Sequence, residues 1–395
     1  MSEVAKKKWS ADVDLSQYTF EGFDTCGIED LRTMSQEDRD QLLMAGVDVE
    51  ERERSGTYLQ VDHSKVHCKS KQPGVEILSI NDALAKYDGL PEYYWKAVDK
   101  DKDEFTRASA EHKADGYFIR TEKGAKITAP VQSCLFIKGA GNVGQNVHNI
   151  VIVEEDSELH IITGCATSHG IQSAMHLGIS EFYIKKGAKL TFTMVHNWGE
   201  DIAVRPRTGG VVEEDGVFLS NYVLLKPVRT IQSYPAISLN GPRAVARFNS
   251  VVVAPEGSHV DLGNKIMLNA PDTRGEIISR TITTGGKIVA RGFIGGSAVP
   301  AKGHLECKGL ILGGGVIHAI PELEGSMPGV ELSHEAAVGK IAQEEIEYLM
   351  ARGMDEDEAT STIVRGFLNV DIMGLPRELQ ESIDRTITES EKDMF

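Results

Sequence analysis

The sequence predicts a mainly β chain: a parallel β-helix core, an N-terminal region of mixed helix and strand, and a helical C-terminal domain. Three observations predict it. Lys-Gly-Ala-Lys-Ile-Thr at 123–128 recurs as Lys-Gly-Ala-Lys-Leu-Thr at 186–191, with looser copies at DSELHI, GSHVDL and GGKIVA and a weaker one at DGVFLS. Each copy is a turn followed by apolar/polar alternation, as in Leu190, Phe192 and Met194 against Thr191, Thr193 and Val195, the period of a strand with one buried face. Beyond residue 333 that pattern gives way to helical stripes.

The copies start at 124, 156, 187, 215, 257 and 285, separations of 32, 31, 28, 42 and 28. Periods in the range of about 20 to 50 residues mark stacked supersecondary units, each of which buries its apolar row only against its neighbours. A sandwich is disfavoured, because its turns come about every 8 to 12 residues and share no phrase. The glycine of most copies suits a turn with positive φ.

The flanks follow other rules. Ser35 reads as the N-cap of a helix from Gln36 to Ala45 with Gly46 as its stop, and Asn81 as the cap of a helix over 82–87. The run DKDKDE at 99–104 reads as a solvated loop. Downstream, Val338, Ile341, Ile346 and Leu349 form one stripe, Ala359, Ile363 and Phe367 a second, and Leu375, Leu379, Ile383 and Ile387 a third. The resulting division is 1–120, 121–333 and 334–395.

Composition excludes several functions. With 42 basic against 59 acidic residues the net charge is −17, which disfavours binding to a phosphate backbone. No apolar run of about 18 residues is present to span a bilayer, and MSEVAKKKWSADVD lacks the apolar core of a signal peptide, so a cytoplasmic protein is expected. The five cysteines at 26, 68, 134, 165 and 307 are odd in number and form no CxxC pair, so they read as reduced thiols. LGGGV and FIGGSA complete neither a P-loop nor a GxGxxG entering a helix, so no nucleotide site is expected. His63, His67 and Cys68 lie on a strand-like run, where a zinc site is not expected.

Glu331 to Phe367 carries the most specific motifs: the tetrad Ser333, His334, Glu335, Ala336 and, further on, Ile363-Val364-Arg365-Gly366-Phe367 after an acidic turn. This stretch resembles the C-terminal signature of the SufB/SufD family of iron–sulfur cluster assembly scaffolds, and the resemblance extends from about residue 55 onward. It implies a right-handed parallel β-helix, a transient iron–sulfur cluster, and a SufC-like ABC-type ATPase docked on the helices around Tyr348 to Leu368. It also implies β-helices paired side by side, most simply as a homodimer, with a SufB/SufD-type heterodimer as the other arrangement, and a sulfur donor and recipient apo-proteins as further partners.

The candidate cluster site is Cys307, His334 and Glu335. With a coil of roughly 25 to 30 residues, a separation of 27 sets Cys307 and His334 on adjacent coils. Thiolate, imidazole and carboxylate all ligate iron, and the resemblance implicates the same positions in binding a nascent cluster. The plainer reading is a buried cysteine and a His-Glu pair at a helix N-terminus. Cys165 and His169 read as a structural turn. The family's cluster-building members carry a cysteine after an Asn-Trp strand; here Asn197-Trp198 is followed by RPRTGGVVEEDG without one, which leaves free sulfide, Cys165 or a SufD-like member as alternatives. Without a cluster the chain would be a structural partner. A β-helix carbohydrate-active enzyme would need aromatic platforms, and 6% aromatic residues supply few.

Overall fold

The turn phrase works through a backbone ladder along one corner of the molecule. In the computed structural model, which describes residues 13–21, 26–139 and 141–368, Gly124, Asp156, Gly187, Asp215, Arg243 and Asp272 all adopt positive φ between 57° and 73°. Each donates its N–H across to the next coil: Gly124 to the carbonyl of Glu155, Asp156 to Lys186, Gly187 to Glu214, Asp215 to Pro242, Arg243 to Pro271 and Asp272 to Pro300. The weak copy at Asp215 therefore belongs to the series. The gap of 42 arises because Arg243 and Asp272 carry the turn without glycine, whereas Gly257 and Gly285 sit at a different corner, ahead of His259–Leu268 and Lys287–Gly296. Arg243 is held in its strained conformation by Asp215 and Glu214, its guanidinium 2.6–2.8 Å from their carboxylates.

Between the corners, two sheets build a parallel β-solenoid of about eight turns. The ten-stranded sheet starts with the antiparallel hairpin Gly56–Val61/Ser64–Ser70 and then adds parallel strands, ending in Val245–Ala254, Thr273–Thr283, Ala301–Ile311 and Val330–Gly339. The eleven-stranded sheet ends in His259–Leu268, Lys287–Gly296 and Val316–Gly325. Inward-facing rows form the main core, through which Phe192, Phe182, Phe218 and Phe248 stack with centroids 4.8–5.8 Å apart.

Flanking segments cover the outer faces of these sheets. Gln36–Met44, capped by Ser35 and stopped at Gly46 (φ 85°), helps cover Leu59, Cys134, Phe136 and Ala166 on the first sheet. The helix Ile80–Lys86 lies over the second sheet. Its cap is Ser79, whose hydroxyl accepts from the Asp82 N–H, and Asn81 is inside the helix, because the chain turns helical directly at the end of Val75–Ser79. Asp103 ends the acidic loop as the capping-box residue of Glu104–Glu111. Glu181, fully buried, accepts the N–H groups of Trp95, Lys96, Ala97 and Val98 and faces His148 Nε2 at 2.8 Å, so one carboxylate pins the 95–98 segment.

Both sequence-derived boundaries fall within continuous β structure. Gly56–Val61 pairs in parallel with Val131–Ile137, and the last strand runs through His334 to Gly339 before helices Gln343–Met350 and Glu356–Leu368. Val338 is consequently a strand residue, not part of a helical stripe. The second helix buries Ala359, Val364 and Leu368, and its Val364 and Leu368 pack on Val195, Val223, Val251, Val253 and Ile282, the outer face of the first sheet. The second helix thus lies along the flank. The third apolar stripe, from Leu375, lies outside the described residues.

Candidate functional site

Two coils at the downstream end span 28 and 29 residues, so Cys307 stands in register with Ser279 on one side and Ala336 on the other. His334 is the register partner of Leu305, and Glu335 that of Glu306. In-register parallel strands share a face, and successive residues alternate faces. Cys307 and His334 therefore share the inward face, one strand and two residues apart, while Glu335 points outward beside Glu306. Adjacency in sequence is what separates the His-Glu pair in space.

Their environments differ as much as their directions. Cys307 is 2% exposed and belongs to the core. Burial first, and then the Glu306 carboxylate, push its thiol up to about 11, so it is protonated near neutrality and becomes a thiolate only when a cation replaces the proton. Glu306 pairs with Arg280 and Lys308, and Arg280 lies 6.0 Å from the centroid of Phe367 on the flanking helix. His334 and Glu335 are solvent-exposed. Among the described residues no group of three His, Cys, Asp or Glu side chains is arranged to hold a metal ion.

Among the described residues nothing lies below the final coil, and His334 is exposed there. Among the described residues, Val316–Gly325 pairs only with Lys287–Gly296, and Val330–Gly339 only with Ala301–Ile311, so within them both last strands present a free edge. Their inward rows are uncovered: Leu323 is 38% and Val338 41% exposed, with Val316 and Met327 exposed nearby. Tyr348 and Met350 on the first C-terminal helix are also exposed.

The remaining candidates lie in coils upstream of Cys307 or in the N-terminal hairpin. Cys165 lies in the strand Glu158–Thr167 rather than in a turn; it is fully buried, its Sγ is 3.9 Å from Met194 Sδ, and burial pushes its thiol far up. His169 lies exposed beyond the end of that strand. His176 is bonded to Gln145 and pushed down to about 3 by burial, and His196 is bonded to the Tyr222 hydroxyl. His67 Nδ1 meets the Ile28 carbonyl, and the Cys68 thiol donates to Ile77.

Sequence reasoning missed a narrow cavity of about 60 Å³ inside the solenoid, walled by Met194, His196, Tyr222, Ser250, Ser279 and Thr281 among others. Its polar wall is a row of small hydroxyl residues at coil spacing, and Ser279 is the strand neighbour of Cys307. The recurrence of serine and threonine in otherwise apolar inward rows was the available signal.

The profile of the family described as "SUF system FeS cluster assembly, SufBD core domain" matches residues 136–367. An Archaeoglobus fulgidus protein described as an iron–sulfur cluster assembly SufBD family protein is 54% identical over 91% of this chain and 96% of its own. A Methanothermobacter thermautotrophicus protein of the same description is 46% identical over 98% and 96%. Bacillus subtilis iron–sulfur cluster assembly protein SufB is 29% identical over 86% of this chain and 75% of its own length.

Proposed function

The chain belongs to the SufBD family of iron–sulfur cluster assembly proteins, and from that premise we propose that it is a scaffold on which a nascent cluster, its cargo, is built at a two-fold pairing of two copies. The observation that carries this is the final coil, open among the described residues: two free strand edges, an uncovered apolar row, and His334 on the same face as Cys307. A second copy continuing the first sheet brings the two His334-bearing strands to about 4.8 Å and sets each Cys307 strand one step behind. The thiol then reaches the shared site past Ala336, a single methyl. Pairing removes the free edges and supplies ligands from both chains, which one chain does not converge.

Cys307 and His334 are the proposed ligands; Glu335, on the outward face, joins only if the final strand twists or the partner approaches from that side. Sulfur enters as free sulfide rather than as a persulfide on Cys165, because Cys165 is fully buried and protonated, whereas the interior cavity is walled by Ser279 beside Cys307. An ABC-type ATPase docks on the C-terminal helices, for which the exposed Tyr348 and Met350 support a contact surface. The energy of assembly is the partner's, and this chain is not itself the enzyme.

Anaerobic reconstitution with iron and sulfide, followed by light scattering, tests the reading. A coloured, dimeric product is expected. A chain that stays monomeric in both states, or a dimer that takes up no iron, overturns it.

A further inference from the structure

Midway along the solenoid the inward rows carry a thiol, a thioether and an imidazole at neighbouring positions. Cys165 lies on the strand Glu158–Thr167, and Met194 and His196 lie on the adjacent strand Lys189–Asn197; all three face the interior. Cys165 and His196 are Cα partners in the parallel ladder, and Met194 is two residues from His196 on the same face.

Their geometry suits one ion. Cys165 Sγ is 3.9 Å from Met194 Sδ. An ion about 2.3 Å from each sulfur would hold them about 116° apart, close to a trigonal angle, without either sulfur moving. His196 meets the Tyr222 hydroxyl through Nδ1 at 2.9 Å, and among the described residues no hydrogen bond engages its Nε2. Burial first, and then His176, hold this imidazole well below its usual pKa, so it is neutral. When Nδ1–H donates to the tyrosine oxygen, Nε2 presents a lone pair, the usual arrangement of a ligating histidine with its outer partner. The cavity of about 60 Å³ borders both Met194 and His196 and gives room for an ion.

Charge decides which ion. Cys165 and His196 are buried, and among the described residues no carboxylate lines the cavity. A monovalent cation on the Cys165 thiolate, with two neutral ligands beside it, leaves no net charge in the core. Zn²⁺ or Fe²⁺ would leave an unpaired positive charge there, which a dry interior penalises heavily. Thiolate and thioether are also the soft donors that select Cu(I). We propose that Cys165, Met194 and His196 form a three-coordinate Cu(I) site inside the solenoid. As the Cu–S bond forms, the Cys165 proton leaves to solvent and the oxidation state of the ion is unchanged. The strand of His196 is four strands from that of Cys307 along the first sheet, about 19 Å. The site is therefore separate from the proposed cluster ligands and stands or falls without them.

Anaerobic titration of the full-length chain with Cu(I) against the chelator bicinchoninate tests it, together with X-ray absorption of the loaded protein. One Cu(I) per chain is expected to survive the chelator, with a first shell of two sulfurs and one imidazole nitrogen, and Zn²⁺ in about hundredfold excess should not displace it. Met194→Leu conserves volume and Cys165→Ala removes one atom, so circular dichroism should be unchanged in both. The first should weaken retention about tenfold or more and the second should abolish it, whereas Cys26→Ala, at an exposed thiol, should retain the ion. A parent chain that yields all its Cu(I) to the chelator overturns the proposal. So does a first shell of sulfur alone, displacement by Zn²⁺, or full retention in Met194→Leu or Cys165→Ala.

Discussion

Replacing Cys307 by alanine separates the role of its thiol from that of its volume. The side chain is 2% exposed, between Ser279 and Ala336 on the neighbouring strands, and truncation removes one sulfur atom from the core. A one-atom deletion of this kind costs about 1 kcal/mol and, in a chain of this length, lowers the melting temperature by about 2 °C or less. The variant should therefore fold and purify as the parent does. Cluster uptake should respond far more strongly. With its pKa raised to about 11 by burial and Glu306, the parent thiol is ionised to about one part in a thousand at pH 8, and that fraction grows about tenfold per pH unit. If thiolate formation limits uptake, the initial rate of anaerobic reconstitution should rise about a hundredfold between pH 7 and 9. Cys307→Ala should abolish most of the charge-transfer absorbance and flatten that slope, whereas Cys134→Ala, on the outer face beneath the N-terminal helix, should retain both. An alanine variant that binds iron and sulfide as fully as the parent, with the same pH slope, would refute the assignment.

Val338→Glu combined with Leu323→Glu places charge on the uncovered inward row and should convert the proposed dimer to a monomer in light scattering; persistent dimers would mean that pairing uses another surface. Tyr348→Asp with Met350→Asp, on exposed helix positions, should abolish co-purification with the proposed ATPase partner while leaving thermal stability within a degree or two. Glu181→Ala leaves four backbone N–H groups and His148 without their acceptor. Burial alone would raise the Glu181 pKa, but the His148 and backbone bonds hold it down, so chemical denaturation should show a loss of about 3–5 kcal/mol. A loss under 1 kcal/mol would mean that the 95–98 segment is held by its apolar contacts instead.

How far the sequence revealed this molecule depended on whether a structural demand had one chemical solution. Positive φ at Gly124 and Gly187 was legible because glycine is its usual solution. The same demand at Arg243 and Asp272 was met by hydrogen bonds and, at Arg243, by ion pairs, which left no mark in the local pattern and opened a false gap of 42 residues. Two eligible caps three positions or fewer from a helix start explain the choice of Asn81 over Ser79. At the site, coil spacing correctly set Cys307 and His334 on neighbouring strands, but a 29-residue register instead of 27 moved Ala336 opposite the thiol. The resemblance groups His334 with Glu335, and the plainer reading sets the pair at a helix start; the strand that runs on to Gly339 instead sends the two side chains to opposite faces.

The placement of the covering elements gives the open coil its meaning. Gln36–Met44 and Ile80–Lys86 cover the outer faces of the two sheets, and Glu356–Leu368 covers the first sheet further downstream. Solenoids ordinarily close with a polar capping unit, since an uncapped last repeat exposes the row that every other repeat buries. Here the described chain covers flanks and leaves Val330–Gly339 bare, although a helix begins at Gln343, only four residues beyond that strand. That helical tail runs instead to the face on which Phe367 lies over Arg280, Arg280 pairs with Glu306, and Glu306 immediately precedes Cys307. A movement of the tail would therefore reach the thiol's own strand through two contacts, while a partner at the free edges would reach it through Ala336. The flank and the end of the solenoid thus offer two mechanically separate approaches to one cysteine, an arrangement that a merely structural cap would forfeit.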